Sequence, residues 1–288
     1  MNEINYEKAH LHWSSVTSNV DGMLGGFEQL HSTDINTSKQ LLDYLIKKFL
    51  KSYVTLKERP LLFEVIFSML VSFLVSKIIC GQDLRIFRKN FSWENFISTS
   101  IILIQFYIFS ILQQLLTKFQ HALDCGSGIG RITKHLLLPK FNYVDMVDFA
   151  ETFIEQSEKY IGSEGNSRVQ NKFVESLHTF KPTPKYYDLI WIQWVTGQLS
   201  DDDLTNFLRR CKKGLTKNGC IIIKDNITSR DEERIFDECD NSWTRPLNEL
   251  RPLIEAANLN IVLERKQLFF PKNNFPVFMF VLKPSDII

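Results

Sequence analysis

The sequence predicts an α/β fold built on a seven-stranded, mostly parallel sheet with an antiparallel end. Three observations carry that prediction. After His121, short apolar runs alternate with amphipathic helical stretches, the pattern of βαβ units. A glycine-rich loop joins the first of those runs to a helix. The last two apolar runs, Asn260 to Leu263 and Pro276 to Leu282, have only a short connection containing KQLFFPKNNF between them and therefore pair as a hairpin.

Composition narrows the class. The 288 residues are 44% hydrophobic and 23% charged, which excludes wholesale disorder and supplies one large core or two modest ones. With 34 Lys and Arg against 33 Asp and Glu there is no general basic field, so a nucleic-acid partner held by phosphate neutralisation is not expected. The five cysteines are scattered, without a C-x-x-C pair or a Cys/His cluster, so no metal site or disulfide framework is expected. Residues Met1 to His12 lack an apolar signal-peptide core, which points to a reducing, intracellular location.

In chain order, Trp13 to Ser38 is polar and turn-rich and contains VDGMLGGF, Val20 to Phe27, with three glycines. Thr37 reads as an N-cap, followed by Leu41, Leu42, Leu45, Ile46 and Phe49 at helical spacing. Two long apolar stretches follow, Leu61 to Ile79 and Asn95 to Thr117, each near the roughly 20 residues that cross a bilayer. The strands are placed at Ala122 to Asp124, Tyr143 to Val147, Lys172 to Val174, Leu189 to Gln193 and Cys220 to Lys224, ahead of the closing pair. Helices are placed at Arg131 to Leu138, Ala150 to Ile161 and Asp202 to Leu215, the last with Leu204, Phe207, Leu208 and Cys211 on one face.

The most informative stretch is LDCGSGIGRITKHLL, Leu123 to Leu137. It puts Asp124 at a strand end, then Gly126, Gly128 and Gly130, then a helix. Glycines let a backbone approach a ligand, and free N–H groups at the helix start suit polar or anionic atoms. The spacing is G-x-G-x-G rather than the dinucleotide G-x-G-x-x-G, which argues against NAD. Asp148 ends the next strand, where a carboxylate can accept both hydroxyls of a ribose.

LDCGSGIGRITK, YDLIWIQWV, FLRRCKKGL, NGCIIIKDN and VDGMLGG together resemble the protein N-terminal α-amine methyltransferases, which act on chains beginning Xaa-Pro-Lys; the resemblance covers about Trp13 to Ile46 and His121 to Leu282. It implies a Rossmann-like class I methyltransferase sheet using S-adenosylmethionine, an N-terminal helical substrate lid over residues 1–50, a hydrophobic helical insertion over 51–120 and the methyltransferase core over 121–288. The positions matching cofactor contacts are Gly126, Arg131, Asp148, Phe149, Ala150, Leu177, His178 and Gln193, with Arg131 suited to the methionyl carboxylate. Asp240 falls on the acid that accepts the amine's proton and Asn226 on the residue that orients the N-terminus. Trp13, Leu24, Gly25 and Trp194 fall on the peptide channel, and Asp237 on an acid that recognises the substrate Lys. Asp237, Glu238 and Asp240 also form an acidic run suited to a cationic substrate.

The sequence departs from that family at several positions. Gln198 stands where a second base, a His, is usual; it hydrogen-bonds but takes no proton at neutral pH. His12 replaces a Tyr beside Trp13, Asn273 and Asn274 replace an acidic-apolar pair, and Pro252 is expected to kink a helix. These departures keep two alternatives open, a weakly active or non-catalytic cofactor-binding relative and a small-molecule methyltransferase. The insertion has three readings: a membrane hairpin through Leu61 to Thr117, a docked helical pair, or translated intron in a faulty gene prediction. The resemblance implies a location in the nucleus and cytoplasm, with protein N-termini as partners.

Overall fold

The computed structural model describes residues 3–48, 119–228, 233–271 and 273–285. The chain divides into two compact units, Met1–Lys39 with Lys118–Ile288, and Gln40–Thr117. Of the second, only the end of a helix, 40–48, lies among the described residues. The two long apolar stretches and the start of the insertion at 51 fall outside them, whereas its expected end at 120 falls within the first strand, Phe119–Cys125. Among the described residues no helix is long and apolar enough to cross a membrane.

All seven expected strands form, each longer than its apolar core: β1 Phe119–Cys125, β2 Phe141–Asp148, β3 Val169–Val174, β4 Tyr187–Gln193 and β5 Leu215–Asn226. A small hairpin, β6 Ile235–Asp237 with β7 Ser242–Thr244, follows, and β8 Leu259–Lys266 and β9 Val277–Pro284 close the sheet. The sheet order is β3-β2-β1-β4-β5-β9-β8. Leu123 of β1 lies between Asp145 and Ile190 in parallel register, whereas Ile223 of β5 pairs antiparallel with Phe280 of β9. The chain runs from β1 outward to β3, then returns to place β4 on the other side of β1. That reversal opens a crevice at the carboxyl ends of β1 and β4, the usual ligand position in such sheets.

The N-terminal segment begins with α1, Tyr6–Ser15, capped by the Asn5 side chain, and continues into α2, residues 31–48. The latter starts six residues before Thr37, which is no cap: its hydroxyl donates to the Thr33 carbonyl one turn back at 2.8 Å. The stretch after Gly130 is helical as expected but takes a π-helical turn at Thr133–Leu137. Downstream lie α3 Glu151–Ile161, α4 Asp201–Gly214 and α5 Leu247–Ala256. In α4 Ser200 is the N-cap, three Asp occupy the first turn and two Lys the last, so charge and helix dipole agree. Pro252 sits inside α5 without ending it.

Tyr6 fastens α1 to the sheet domain. Its ring stacks on His178 at 4.2 Å, and its hydroxyl donates to the Asp203 carboxylate while accepting from the Ser200 N–H at 3.3 Å. Burial and that carboxylate push the phenol up to about 12, so it stays a donor at physiological pH. Tyr6→Phe is expected to weaken this attachment by about 1 kcal/mol and to speed amide exchange over α1 about fivefold, while leaving exchange in the sheet unchanged.

Candidate functional site

The glycine loop forms where β1 ends. Gly126, Gly128 and Gly130 all have positive φ, and a Cβ on Gly128 would meet Met23 Sδ at 2.4 Å, so the loop can be covered this closely only because it carries no side chain there. Met23 belongs to the N-terminal segment, which thus lies directly over the loop. Asp148 organises the other side: its carboxylate accepts from the Gly128 N–H at 2.8 Å and the Ala150 N–H at 2.9 Å. Burial raises its pKa against those bonds. The Gly128 and Ala150 bonds fall on different oxygens and the Phe149 N–H adds to them, and a carboxylate with about four lone-pair sites keeps capacity for ligand hydroxyls. Asp124 accepts from the Thr133 N–H and hydroxyl, both on Oδ2, with burial pushing its carboxyl up to about 6.

Two adjoining spaces open around these groups. A cavity of about 490 Å³ is lined by Tyr6, His10, Phe149, Leu177, His178, Val195 and Leu199, an apolar slot with aromatic walls suited to a flat base. A tighter space holds Trp13, Gly126, Ser127, Arg131, Asp148, Gln193 and Trp194, and Phe149, Val195 and Gln198 border both. Ala150 packs beneath with Ile129 and Phe153, and Trp13 and Phe149 lie against that cluster. Leu24 is buried; Gly25 borders a neighbouring hollow shared with His12 and Trp13. Asn226 at the end of β5 and the exposed Asp237 line neither of the two spaces.

Four residues around the tighter space carry buried polar atoms without protein partners: the indole N–H of Trp13 and of Trp194, the Ser127 hydroxyl and the Gln198 amide oxygen. Unsatisfied groups of this kind are rare in native interiors, and four around one space fit a polar ligand. Trp194 is also held at φ +53°, a strained conformation for a bulky residue, with the Arg131 guanidinium 5.5 Å from its ring centroid. An S-adenosyl group fits this donor set: acceptors for ribose hydroxyls at Asp148, a guanidinium at Arg131 and an apolar slot beyond Phe149.

Sequence reasoning missed Asp34. This residue of α2 is fully buried, and its carboxylate receives Arg131 Nη1 at 2.7 Å, Gln193 Nε2 at 2.9 and 3.0 Å, and the Lys224 ammonium. Lys224 also donates to the Asp34 carbonyl at 3.1 Å and to Ser38 Oγ at 2.9 Å. Burial alone would push the Asp34 carboxyl up, but the two cations outweigh it and hold the group below its usual range. Burial lowers Lys224 to about 8 in spite of Asp34, which leaves it mostly charged at neutral pH. A lysine inside CIIIKDN was the available signal, since a charge in a buried strand requires a partner. Nothing local pointed to Asp34 as that partner.

Asp240 lies at the turn of the β6–β7 hairpin. One oxygen accepts from Ser242 Oγ at 2.6 Å and the other from Gln198 Nε2 at 3.1 Å. Burial raises its pKa, the Ser242 bond opposes this, the nearby Asp237 charge adds to it and His12 subtracts. The hairpin packs tightly on the 194–198 strap: a Cβ on Gly197 would meet the Trp243 carbonyl at 2.5 Å. Asp225 braces the strap from below by accepting from the Thr196 N–H and hydroxyl, and Asn5 N–H donates to Asn241 Oδ1 at 2.9 Å. The Gln198 bond thus ties Asp240 to a residue that borders both spaces, although Asp240 itself lines neither.

A family profile described as AdoMet dependent proline di-methyltransferase matches residues 1–58 and 97–283. The chain is similar to the alpha N-terminal protein methyltransferase 1 of Caenorhabditis elegans, at 40% identity over 97% of this chain and 91% of the relative. It is 38% identical to the human N-terminal Xaa-Pro-Lys N-methyltransferase 1, over 96% of this chain and 95% of the relative. Among solved structures, a SAM-dependent methyltransferase of Leishmania major is similar at 26% identity and a TM-score of 0.67, covering 96% of this chain and 82% of that one.

Proposed function

Because the chain belongs to the AdoMet-dependent proline di-methyltransferase family, we propose that it methylates the N-terminal α-amine of proteins beginning Xaa-Pro-Lys. S-adenosylmethionine would supply the methyl group: the amine lone pair forms the new N–C bond as the methyl C–S bond breaks, its electron pair staying on sulfur of the departing S-adenosylhomocysteine. The observation that best supports the reading is the ring of unsatisfied polar atoms, Trp13, Ser127, Trp194 and Gln198, beside a carboxylate held by Ser242 and Gln198.

A free α-amine has a pKa of about 7.7–8.0, so at neutral pH most substrate arrives protonated and must lose a proton before attack. Asp240, with its pKa raised by burial, is the group assigned to accept that proton, and Asn226 the group assigned to orient the amine. Gln198 cannot share the proton, but its amide N–H fixes the Asp240 carboxylate and its carbonyl oxygen is left to accept from the ammonium. Trp13 and Trp194 wall the channel, Gly25 borders its entrance with the buried Leu24 beside it in the chain, and Asp237 offers an exposed charge to the substrate lysine. On the donor side, Asp148 takes the ribose hydroxyls, Arg131 and Gln193 the methionyl end, and Phe149, Ala150, Leu177 and His178 the adenine slot, with Gly126 allowing close approach.

The test is methyl incorporation from labelled donor into an Xaa-Pro-Lys peptide and its N-acetylated counterpart. Label is expected at the α-amine of the free peptide alone; equal labelling of both, or none, overturns the reading. Gln198→Leu, nearly isosteric, is expected to lower single-turnover methylation about fivefold, the worth of about 1 kcal/mol of lost carboxylate positioning. The family profile passes over residues 59–96 but matches 51–58 and 97–120, so it supports only the middle of the 51–120 insertion between the 1–50 and 121–288 parts; sequencing the transcript across it tests that division. Four described cysteines, Cys125, Cys211, Cys220 and Cys239, are unpaired thiols, in keeping with nuclear and cytoplasmic substrates, and imaging of the tagged protein checks the location.

A further inference from the structure

The Asp34 cluster joins two parts of the site that serve different ligands. Asp34 belongs to the N-terminal segment that also carries Trp13 and Met23, both bordering the tighter space. Arg131, Gln193 and Lys224 come from the glycine loop, the end of β4 and the end of β5. Two cations face the Asp34 carboxylate, and all three side chains are buried. Asp124 and Asp148 border the same space, but their carboxylates bond Thr133 and backbone amides instead. Asp34 engages Arg131 through Nη1 only, so the rest of the guanidinium donor set remains for a second carboxylate. Gln193 is fixed in the same way: Trp191 Nε1 donates to its Oε1 at 2.9 Å while its Nε2 donates to Asp34.

We propose that Asp34 is a positioning residue for the carboxylate of the methyl donor, and that it links donor binding to the seating of the N-terminal segment. It acts through Arg131 and Gln193 and does not touch the ligand. With Asp34 in place, the guanidinium and the amide are held in one orientation before the donor arrives, so less side-chain freedom is lost on binding. Linkage makes the effect reciprocal: the seated segment raises donor affinity by the same factor as the donor stabilises the seated segment. The inference rests on the methyl-donor reading of the loop and not on the identity of the peptide.

Asp34→Ala would leave two cations buried together and is expected to unfold the protein. The informative variant is the double substitution Asp34→Asn with Lys224→Met, which keeps the net charge of the cluster and nearly its shape. A cooperative melt is expected, with Kd for S-adenosylhomocysteine raised about tenfold or more by titration calorimetry. The KM for the donor should rise while kcat at saturating donor stays within about threefold. In the wild-type protein S-adenosylhomocysteine should slow tryptic cleavage after the exposed Lys8, and in the double variant it should not. A folded double variant with wild-type Kd, or one whose Lys8 the ligand still protects, overturns the proposal. So does wild-type protein whose Lys8 cleavage is indifferent to the ligand, a result that needs no variant. Wild-type protein that binds the ligand but methylates no Xaa-Pro-Lys peptide sinks the peptide reading and leaves this one standing.

Discussion

Replacing Asp240 by Asn lowers kcat at pH 7 by about 10²- to 10⁴-fold, the usual worth of a positioned general base. Asparagine has nearly the same shape and can still accept from Ser242 Oγ through its carbonyl, so the hairpin should persist. What it lacks is a site for the proton. The pH dependence distinguishes this role from a structural one. In the wild-type protein activity is lost as pH falls through the pKa of Asp240, because the protonated acid cannot act as a base; burial raises that pKa toward the amine's own. In the variant the acid limb is set by the substrate α-amine alone, so the deficit should shrink as pH rises past about 8 and free amine becomes abundant. A deficit that is constant from pH 6.5 to pH 9 would instead assign Asp240 to structure.

Replacing Asp148 by Ala raises Kd for S-adenosylhomocysteine about 10²- to 10³-fold, measured by calorimetry on protein whose melting remains cooperative. Two hydrogen bonds from ribose hydroxyls to a buried carboxylate are worth about 3–4 kcal/mol together, each at the lower end for a charged acceptor. The same substitution strips the Gly128 and Ala150 N–H groups of their acceptor, so the loop loosens as well. Bound hydroxyls favour the ionised carboxylate, whereas burial raises the pKa of Asp148 in the free protein. Donor affinity in the wild-type protein should therefore weaken as pH falls, and Asp148→Ala should flatten that dependence.

Much of the scaffold was legible because it depends on local pattern. Each expected strand formed around its apolar core, and the antiparallel pairing of β8 with β9 followed from a connection too short to cross over. The β6–β7 hairpin was missed because IFD and SWT are three residues each, too short for any periodicity to register. The start of α2 was misplaced for a related reason. Thr37 has the composition of a cap, but the residues before it are already helical, and only the return bond to Thr33 distinguishes the two cases.

The glycine loop and Asp148 could be found in the linear sequence because their chemistry depends on residue type at a fixed place on a strand end or turn, whereas Trp13 and Trp194 came from the family resemblance. Asp34 could not. An aspartate at the beginning of a helix ordinarily reads as a solvated, dipole-favoured acid. Its burial follows from Arg131, Gln193 and Lys224, which lie 97, 159 and 190 positions away and meet it only once the sheet order is established. The sequence by itself determined the seven-stranded α/β class, the family, the methyl donor and the side chains at the strand ends. Only the tertiary structure decided that Asp240 is held by Gln198 and that the Asp34 carboxylate of the N-terminal segment meets Arg131, Gln193 and Lys224. Both are contacts between elements remote in the chain, and a buried charge finds its partner by where the fold brings it, whatever its neighbours in sequence.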